Sequence, residues 1–142
     1  MGKKIKVVFD TNVWISISMR KILKNEFYRV KEDLTVYISQ DIAREASRVL
    51  KYPRVAEVLK KANIREKDVL QVIADNSKLV DPKAKLHIVE EDEEDNKVLE
   101  CALSTKADII VSGDKHLLEL GKFKNTTILK PREFLDSLSK ET

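Results

Sequence analysis

The sequence contains few of the residues that would direct it to a specialised class of protein. Its 142 residues include one cysteine, three glycines, three prolines and two histidines. The single cysteine, Cys101, excludes an internal disulfide and a thiolate zinc cluster and is typical of an intracellular protein. No apolar run approaches the roughly 18 residues of a membrane span, and no small-residue cleavage site follows the N-terminal lysines. We therefore expect a cytoplasmic protein with neither a signal peptide nor a membrane partner.

Hydrophobic and charged residues are abundant, and the charges are unevenly distributed. Hydrophobic residues make up 42% of the chain, enough for one compact domain that spans residues 1–142. Residues 1–65 hold 15 Lys and Arg against 7 Asp and Glu, whereas residues 66–142 hold 12 against 17. This imbalance suits a protein that binds a phosphate backbone with one surface and cations with another. An ordinary solvated surface explains the same pattern.

Short β-branched runs alternate with helical patterns along the chain, with no repeat and no Gly/Pro-rich linker. A helix is predicted from Val13 to Leu23 and two more at about 54–62 and 66–78. Other helices follow the later strands, the last of them beginning at Pro131. This order favours a parallel sheet covered by helices on both faces. The predicted strands are Ile5–Phe9, Thr35–Ser39, Leu86–Val89, Asp108–Val111 and Thr126–Leu129.

Two of these strands lead directly into aspartates. Asp10 follows Val7-Val8-Phe9, and Asp114 follows a strand through Ser112 and Gly113. Ligands of parallel sheets bind beyond the carboxyl ends of the strands, so both carboxylates should share one edge. A simple helix cap is the alternative for Asp10.

A third carboxylate lies on the apolar face of a predicted helix. At 100° per residue, Leu99 lies about 40° and Ala102 about 20° from Asp95, so the apolar stripe is centred on this acid. Asp92 can cap the helix, with Asp95 in its first turn where the helix dipole favours negative charge. Capping does not explain the run of acids from Glu90 to Asp95, because packed like charges repel unless a cation neutralises them.

Glu45 is the fourth candidate. It lies three residues after Ile42 and four before Val49, at the edge of an apolar helical arc, and the alternative is an ordinary surface glutamate. Arg44 and Arg48 on the same helix are expected to point away from that arc, toward solvent or phosphate.

Three or four carboxylates at the strand ends, without a histidine pair or a second cysteine, favour a hard cation with oxygen ligands. Mg²⁺ and Mn²⁺ fit this description, and both catalyse phosphodiester hydrolysis in proteins. The histidines, His87 and His116, are expected to be packing or surface residues, and Cys101 a core residue.

These motifs together resemble the PIN domain family, in particular its compact VapC-type members that act as toxins of toxin–antitoxin pairs. The matching segments are Val7-Val8-Phe9-Asp10-Thr11-Asn12, the inward acid Glu45, Asp95-Asn96-Lys97-Val98-Leu99, Ser112-Gly113-Asp114 and the ending from Ile128 to Leu135.

The resemblance implies a three-layer α/β/α sandwich with a central parallel sheet of four to five strands. It also implies a Mg²⁺- or Mn²⁺-dependent endoribonuclease that cuts single-stranded RNA. Asp10, Glu45, Asp95 and Asp114 carry over as the acidic quartet that binds the metal. Asn12 and Ser112 match the polar positions that orient the first and last acids, and Asp92 matches an extra acid of some members.

The expected partners are single-stranded RNA, an antitoxin protein and further copies of the chain in a homodimer or higher homo-oligomer. Two alternatives stay open: a PIN-like module that binds RNA or protein without cutting, and a phosphotransfer enzyme or receiver domain that uses Asp10 as a nucleophile. The cations predicted to approach the acids and bind nucleic acid are Arg20, Lys21, Arg44, Arg48 and Arg54.

Overall fold

A six-stranded sheet with helices packed against it organises the chain. The computed structural model describes residues 3–89 and 92–139. Within these residues the strands are β1 Ile5–Phe9, β2 Leu34–Ser39, β3 Lys78–Val80, β4 Ile109–Val111, β5 Lys122–Phe123 and β6 Thr126–Leu129. The α-helices are α1 Thr11–Met19, α2 Lys21–Val30, α3 Gln40–Val49, α4 Pro53–Lys61, α5 Glu66–Asp75, α6 Glu93–Thr105, α7 Lys115–Leu120 and α8 Pro131–Ser139.

The strand order places the carboxyl ends of the central strands at one edge of the sheet. The order is β3-β2-β1-β4-β6-β5, and every pair is parallel except β5 with β6. Val7 of β1 pairs with Val36 on one side and Ile109 on the other. The predicted α/β fold with a central parallel sheet is thus confirmed: five strands are parallel, and a sixth beyond the predicted four to five, the two-residue β5, is antiparallel.

The core forms around β1, whose last three residues Val7, Val8 and Phe9 are all buried. Consecutive buried residues on a strand require cover on both faces of the sheet. Phe9 is in edge-to-face contact with Trp14, Phe27 and Phe134, with ring centroids 5.0, 5.7 and 6.1 Å away. These contacts fix β1, and therefore the residue that follows it, against α1, α2 and α8.

The predicted strand at Leu86–Val89 is wrong. The backbone N–H groups of this segment bond to side chains of α6 and not to a neighbouring strand: Leu86 donates to Glu100, and Ile88 and Val89 donate to Asn96. The third strand is instead β3, which begins three residues after α5 ends, inside the stretch predicted to be helical to residue 78.

The predicted helix from Val13 to Leu23 is two helices, α1 and α2. Arg20 between them has extended backbone angles (φ −99°, ψ 113°) that end the first helix. In the described part of the chain, no helix has the length and apolarity that a membrane crossing requires.

Candidate metal centre

Asp10 lies at the point where β1 becomes α1. Its backbone N–H donates to the Val111 carbonyl at 3.1 Å, which continues the pairing of β1 with β4. Its carboxylate caps α1 by accepting from the Val13 N–H at 2.9 Å, and its other oxygen accepts a hydrogen bond from the Ser112 hydroxyl. The cap predicted as an alternative role is therefore present, but Ser112 adds a contact that a cap does not require.

Asp114 reaches the same edge from β4. Its Oδ1 caps α7 by accepting from the His116 N–H at 2.8 Å and the Leu117 N–H at 3.4 Å. Its own N–H donates at 2.9 Å to the Ser112 hydroxyl that donates to Asp10. Ser112 is completely buried. One hydroxyl thus joins the two strand-end aspartates.

Asp95 comes to this edge from α6. Asp92 caps the helix by accepting from the Glu94 N–H at 2.9 Å, and the Asp95 N–H donates to the Asp92 carbonyl at 3.2 Å. Asp95 is only 5% exposed, and its Oδ2 has no hydrogen-bond partner among the described residues. One carboxylate oxygen each from Asp92, Asp95 and Asp114 lie within 4.8 Å of one another.

Burial and mutual repulsion disfavour full ionisation of this cluster. Burial, the hydrogen bond and charge of Asp114, and the nearby carboxyls of Asp92 and Asp10 together raise the pKa of Asp95 to about 8. Burial also raises the pKa of Asp10, against the hydrogen bond from Ser112, which lowers it. Either a proton or a cation must offset this negative charge. The donors are all oxygens and one buried oxygen is unpartnered, which fits a hard divalent cation such as Mg²⁺ or Mn²⁺.

Glu45 projects from α3 into the same cleft. Its Oε2 lies 2.8 Å from Nη1 of Arg48, as an ion pair without hydrogen-bond alignment, and that nitrogen is 3.7 Å from Oε1 of Glu94. Burial and the nearby Glu94 raise the pKa of Glu45, whereas Arg48 lowers it. Arg48, predicted to point away from the apolar arc and to approach the acids, lies beside two of them. Its side chain is 58% exposed, and its guanidinium lies between Glu45 and Glu94.

All four acids of the predicted quartet line one cleft of about 200 Å³. Asn12 lines it too, exposed at its mouth, and so do two residues that the sequence did not single out, Thr11 and Glu94. Glu94 could have been found from the sequence, because it belongs to the run of acids from Glu90 to Asp95. We call this the acid cleft; its polar lining is Asp10, Thr11, Asn12, Glu45, Asp92, Glu94, Asp95 and Asp114.

The other predicted cations lie outside the lining of the acid cleft. Arg20 and Lys21 line a second, larger cleft, Arg44 is exposed on α3 at 3.9 Å from Asp41, and Arg54 is exposed at the start of α4. Cys101 is buried, as predicted, and His87 is exposed. Glu90 and Glu91 of the acid run lie outside the described residues.

A model of the PIN domain family matches residues 6–116, a span that contains every member of the acid cleft. The chain belongs to the PIN domain family. Among solved structures, this PIN domain is similar in fold to a chain of VapBC2 from Rickettsia felis, crystallised bound to a DNA fragment from the promoter. The TM-score is 0.61 at 13% identity, over 87% of this chain and 97% of that chain. No curated protein matches the chain.

Proposed function

We propose that this PIN domain is a Mg²⁺- or Mn²⁺-dependent endoribonuclease that cleaves single-stranded RNA in the acid cleft. The observation that carries the proposal is Asp95: a buried carboxylate with one unpartnered oxygen, gathered with two other carboxylates within 4.8 Å. An unpaired buried charge is costly, so an arrangement of this kind is expected where a cation completes it.

In this proposal Asp10, Asp95, Asp114 and Glu45 hold the metal. Ser112 and Asp10 are already hydrogen bonded, so Ser112 orients Asp10 while its bond from the Asp114 N–H fixes the turn that carries the last acid. Asn12 stands at the mouth of the cleft, where it would meet the substrate. Asp92 caps α6 and is a further candidate ligand, because its carboxylate is in the cluster.

The bound ion would supply Lewis-acid chemistry: activation of a water and neutralisation of the charge on the leaving oxygen. The chain itself positions the carboxylates that would hold the ion. Asp10 and Asp114 are fixed by helix caps on rigid strand ends, and Asp95 is fixed on the buried face of α6. Glu45 is held by Arg48, which places a cation beside two acids of the cleft.

The exposed Arg54 at the start of α4, which forms no ion pair with a described residue, supports an anionic substrate such as RNA. The preference for single strands follows from the family. The likeness to a chain of VapBC2 supports an antitoxin protein as a partner. A homodimer or higher homo-oligomer remains a prediction, and so does a single domain that spans residues 1–142. The family match argues against a receiver domain.

Cleavage of a labelled single-stranded RNA tests the proposal. We expect cleavage with Mg²⁺ or Mn²⁺, loss in excess EDTA and recovery when the metal is restored. Undiminished cleavage in EDTA would reject the metal mechanism. A protein that binds the RNA but never cuts it would support the non-catalytic binding module.

A further inference from the structure

A second cleft in the described part of the chain is larger than the acid cleft. It has a volume of about 630 Å³ and lies where the α1–α2 junction faces the start of α8. We call it the α1–α8 cleft; it is lined by Ser16, Arg20, Lys21, Ile22, Leu23, Glu26, Pro131 and Arg132.

The exposed stripe of α1 connects the two clefts. Asn12 lines the acid cleft, Ser16 lines the α1–α8 cleft, and residues four apart share one face of a helix. Neither residue is buried, whereas Val13, Trp14 and Ile17 on the other faces are. From Asn12 to Arg20 is eight residues, or about 12 Å along the axis. A chain-like ligand can therefore follow this stripe from one cleft to the other.

Both clefts also have lining residues at the same edge of the sheet. Pro131 comes two residues after the end of β6, which runs parallel to β4, and Asp10 and Asp114 follow the carboxyl ends of β1 and β4. An RNA strand bound in the acid cleft therefore need not pass over the sheet to reach the α1–α8 cleft.

The charge of the α1–α8 cleft is positive and uncompensated. Arg132 is neutralised by Glu26, with Nη–Oε distances of 2.8 and 2.7 Å. Arg20 and Lys21 form no ion pair with any described residue, in contrast to Arg48 and Arg65. Beside them Ile22 is 76% exposed, the most exposed large hydrophobic side chain among the described residues. Free cations next to an apolar surface suit a ligand with an anionic group and an apolar face.

We propose that the α1–α8 cleft is a nucleotide subsite for the same RNA strand that is cut in the acid cleft. Arg20 and Lys21 hold a phosphate, and Ile22 contacts a base. This inference rests on the proposed function. RNA is named as the ligand because the stripe along α1 leads from the proposed site of RNA cleavage. Because Asn12 and Arg20 lie about 12 Å apart along the helix axis, we assign the cations and the acid cleft to different nucleotides of the strand.

Salt-dependent binding tests the subsite. A labelled 12-nucleotide single-stranded RNA is titrated with the Asp95→Asn protein in Mg²⁺, so that binding is measured without cleavage. Adding Arg20→Ala or Lys21→Ala should weaken binding about fivefold at 0.1 M salt and reduce the slope of log affinity against log salt by about 0.7. Adding Ile22→Ala should weaken binding at an unchanged slope. The control pair Lys60→Ala and Lys85→Ala removes two exposed cations elsewhere and should leave the affinity within about twofold.

The two proposals fail in different ways. If Arg20→Ala and Lys21→Ala bind like their parent, or no worse than the control pair, the subsite is rejected even though the otherwise unchanged protein cleaves RNA. That result would instead favour a protein partner as the ligand of the α1–α8 cleft. If the unchanged protein never cleaves RNA but the slopes fall as expected, the nuclease proposal is rejected and the RNA subsite stands.

Discussion

Ser112 is the residue through which the two strand-end aspartates are coupled. Its hydroxyl donates to Asp10 and accepts from the N–H of Asp114, and it has no exposed surface. A serine at this position is easily taken for a turn residue after β4. Ser112 can join the two aspartates only because β1 and β4 are neighbours in the sheet. The sequence does not show this directly, since the two strands are about one hundred residues apart.

We predict that Ser112→Ala weakens metal binding more than it weakens the fold. The change leaves a buried carboxylate oxygen and an N–H without their partner, at a cost of about 1–3 kcal/mol. Loss of a group that orients a ligand typically lowers metal affinity about 10- to 100-fold. Calorimetric titration with Mn²⁺ beside a denaturant melt measures both quantities. Ser104→Ala, which removes an exposed hydroxyl on α6, is the control, and equal metal affinity in the two variants would contradict the assignment.

The raised pKa of Asp95 predicts how metal-free stability depends on pH. The unfolded chain loses this proton near pH 4 and the folded chain near pH 8, so between these values the folded state binds more protons. Its stability therefore falls as pH rises through that window, and the raised pKa values of Asp10 and Glu45 act in the same direction. In EDTA, Asp95→Asn should melt at the same temperature as the unchanged protein near pH 4 and above it at pH 8. A melting temperature of Asp95→Asn below that of the unchanged protein at pH 8 would show that no repulsion is relieved.

At the scale of elements, α6 does more than carry Asp95. Two buried side chains one turn apart, Asn96 and Glu100, bind the backbone of residues 86–89 along the helix. Asn96 accepts from the N–H groups of Ile88 and Val89 and donates to the Val89 carbonyl at 2.8 Å. This pairing holds the segment that leads toward Asp92, the cap of α6.

Asn96→Ala should release this segment from α6. Three hydrogen bonds disappear, and the amides of Ile88 and Val89 lose their acceptor, so their hydrogen exchange should accelerate about 10-fold or more. The amides of β1 should keep their protection. Glu100→Gln, which retains an acceptor for the Leu86 N–H, is the milder control. Unchanged exchange at Ile88 and Val89 in Asn96→Ala would contradict the interpretation.

The same segment shows where prediction from sequence ends. Leu86–Val89 is a short and mainly apolar run that includes two β-branched residues, and such a pattern cannot tell whether the partner of a backbone N–H is a strand or a side chain. Asp95 was predictable because its helix has a clear apolar stripe, and Asp10 because it directly follows the apolar run Val7-Val8-Phe9 that ends β1. The ion pair of Arg48 with Glu45 was not predicted, because helical spacing does not tell whether an exposed arginine pairs with a neighbouring acid or with phosphate.

At the scale of the whole molecule, the parallel sheet brings acids from four separate segments to one place. Asp10, Glu45, Asp95 and Asp114 are spread over more than a hundred residues, and each follows a strand or lies on a helix that packs beside one. A ligand that bridges these segments should stabilise the whole fold, because it binds the folded state and not the unfolded chain.

Divalent metal should therefore raise the melting temperature. At a metal concentration about 100 times the dissociation constant, the added stability is about 2.7 kcal/mol, or several degrees for a domain of this size. Thermal melts with Mn²⁺ and with EDTA measure the shift. The shift should be absent in Asp95→Asn, and a shift of equal size in that variant would place the metal elsewhere.

The most direct test of the acid cleft compares cleavage and stability in Asp95→Asn. With Mg²⁺ or Mn²⁺ at neutral pH, we expect RNA cleavage to fall by more than about a hundredfold. Loss of a residue that only orients a metal ligand already lowers activity by about 10- to 100-fold. The melting temperature of Asp95→Asn in EDTA should equal or exceed that of the unchanged protein. Asp75→Asn, an exposed acid on α5, should leave both unchanged. Full cleavage by Asp95→Asn together with a lowered melting temperature would show that Asp95 serves the fold and not the reaction.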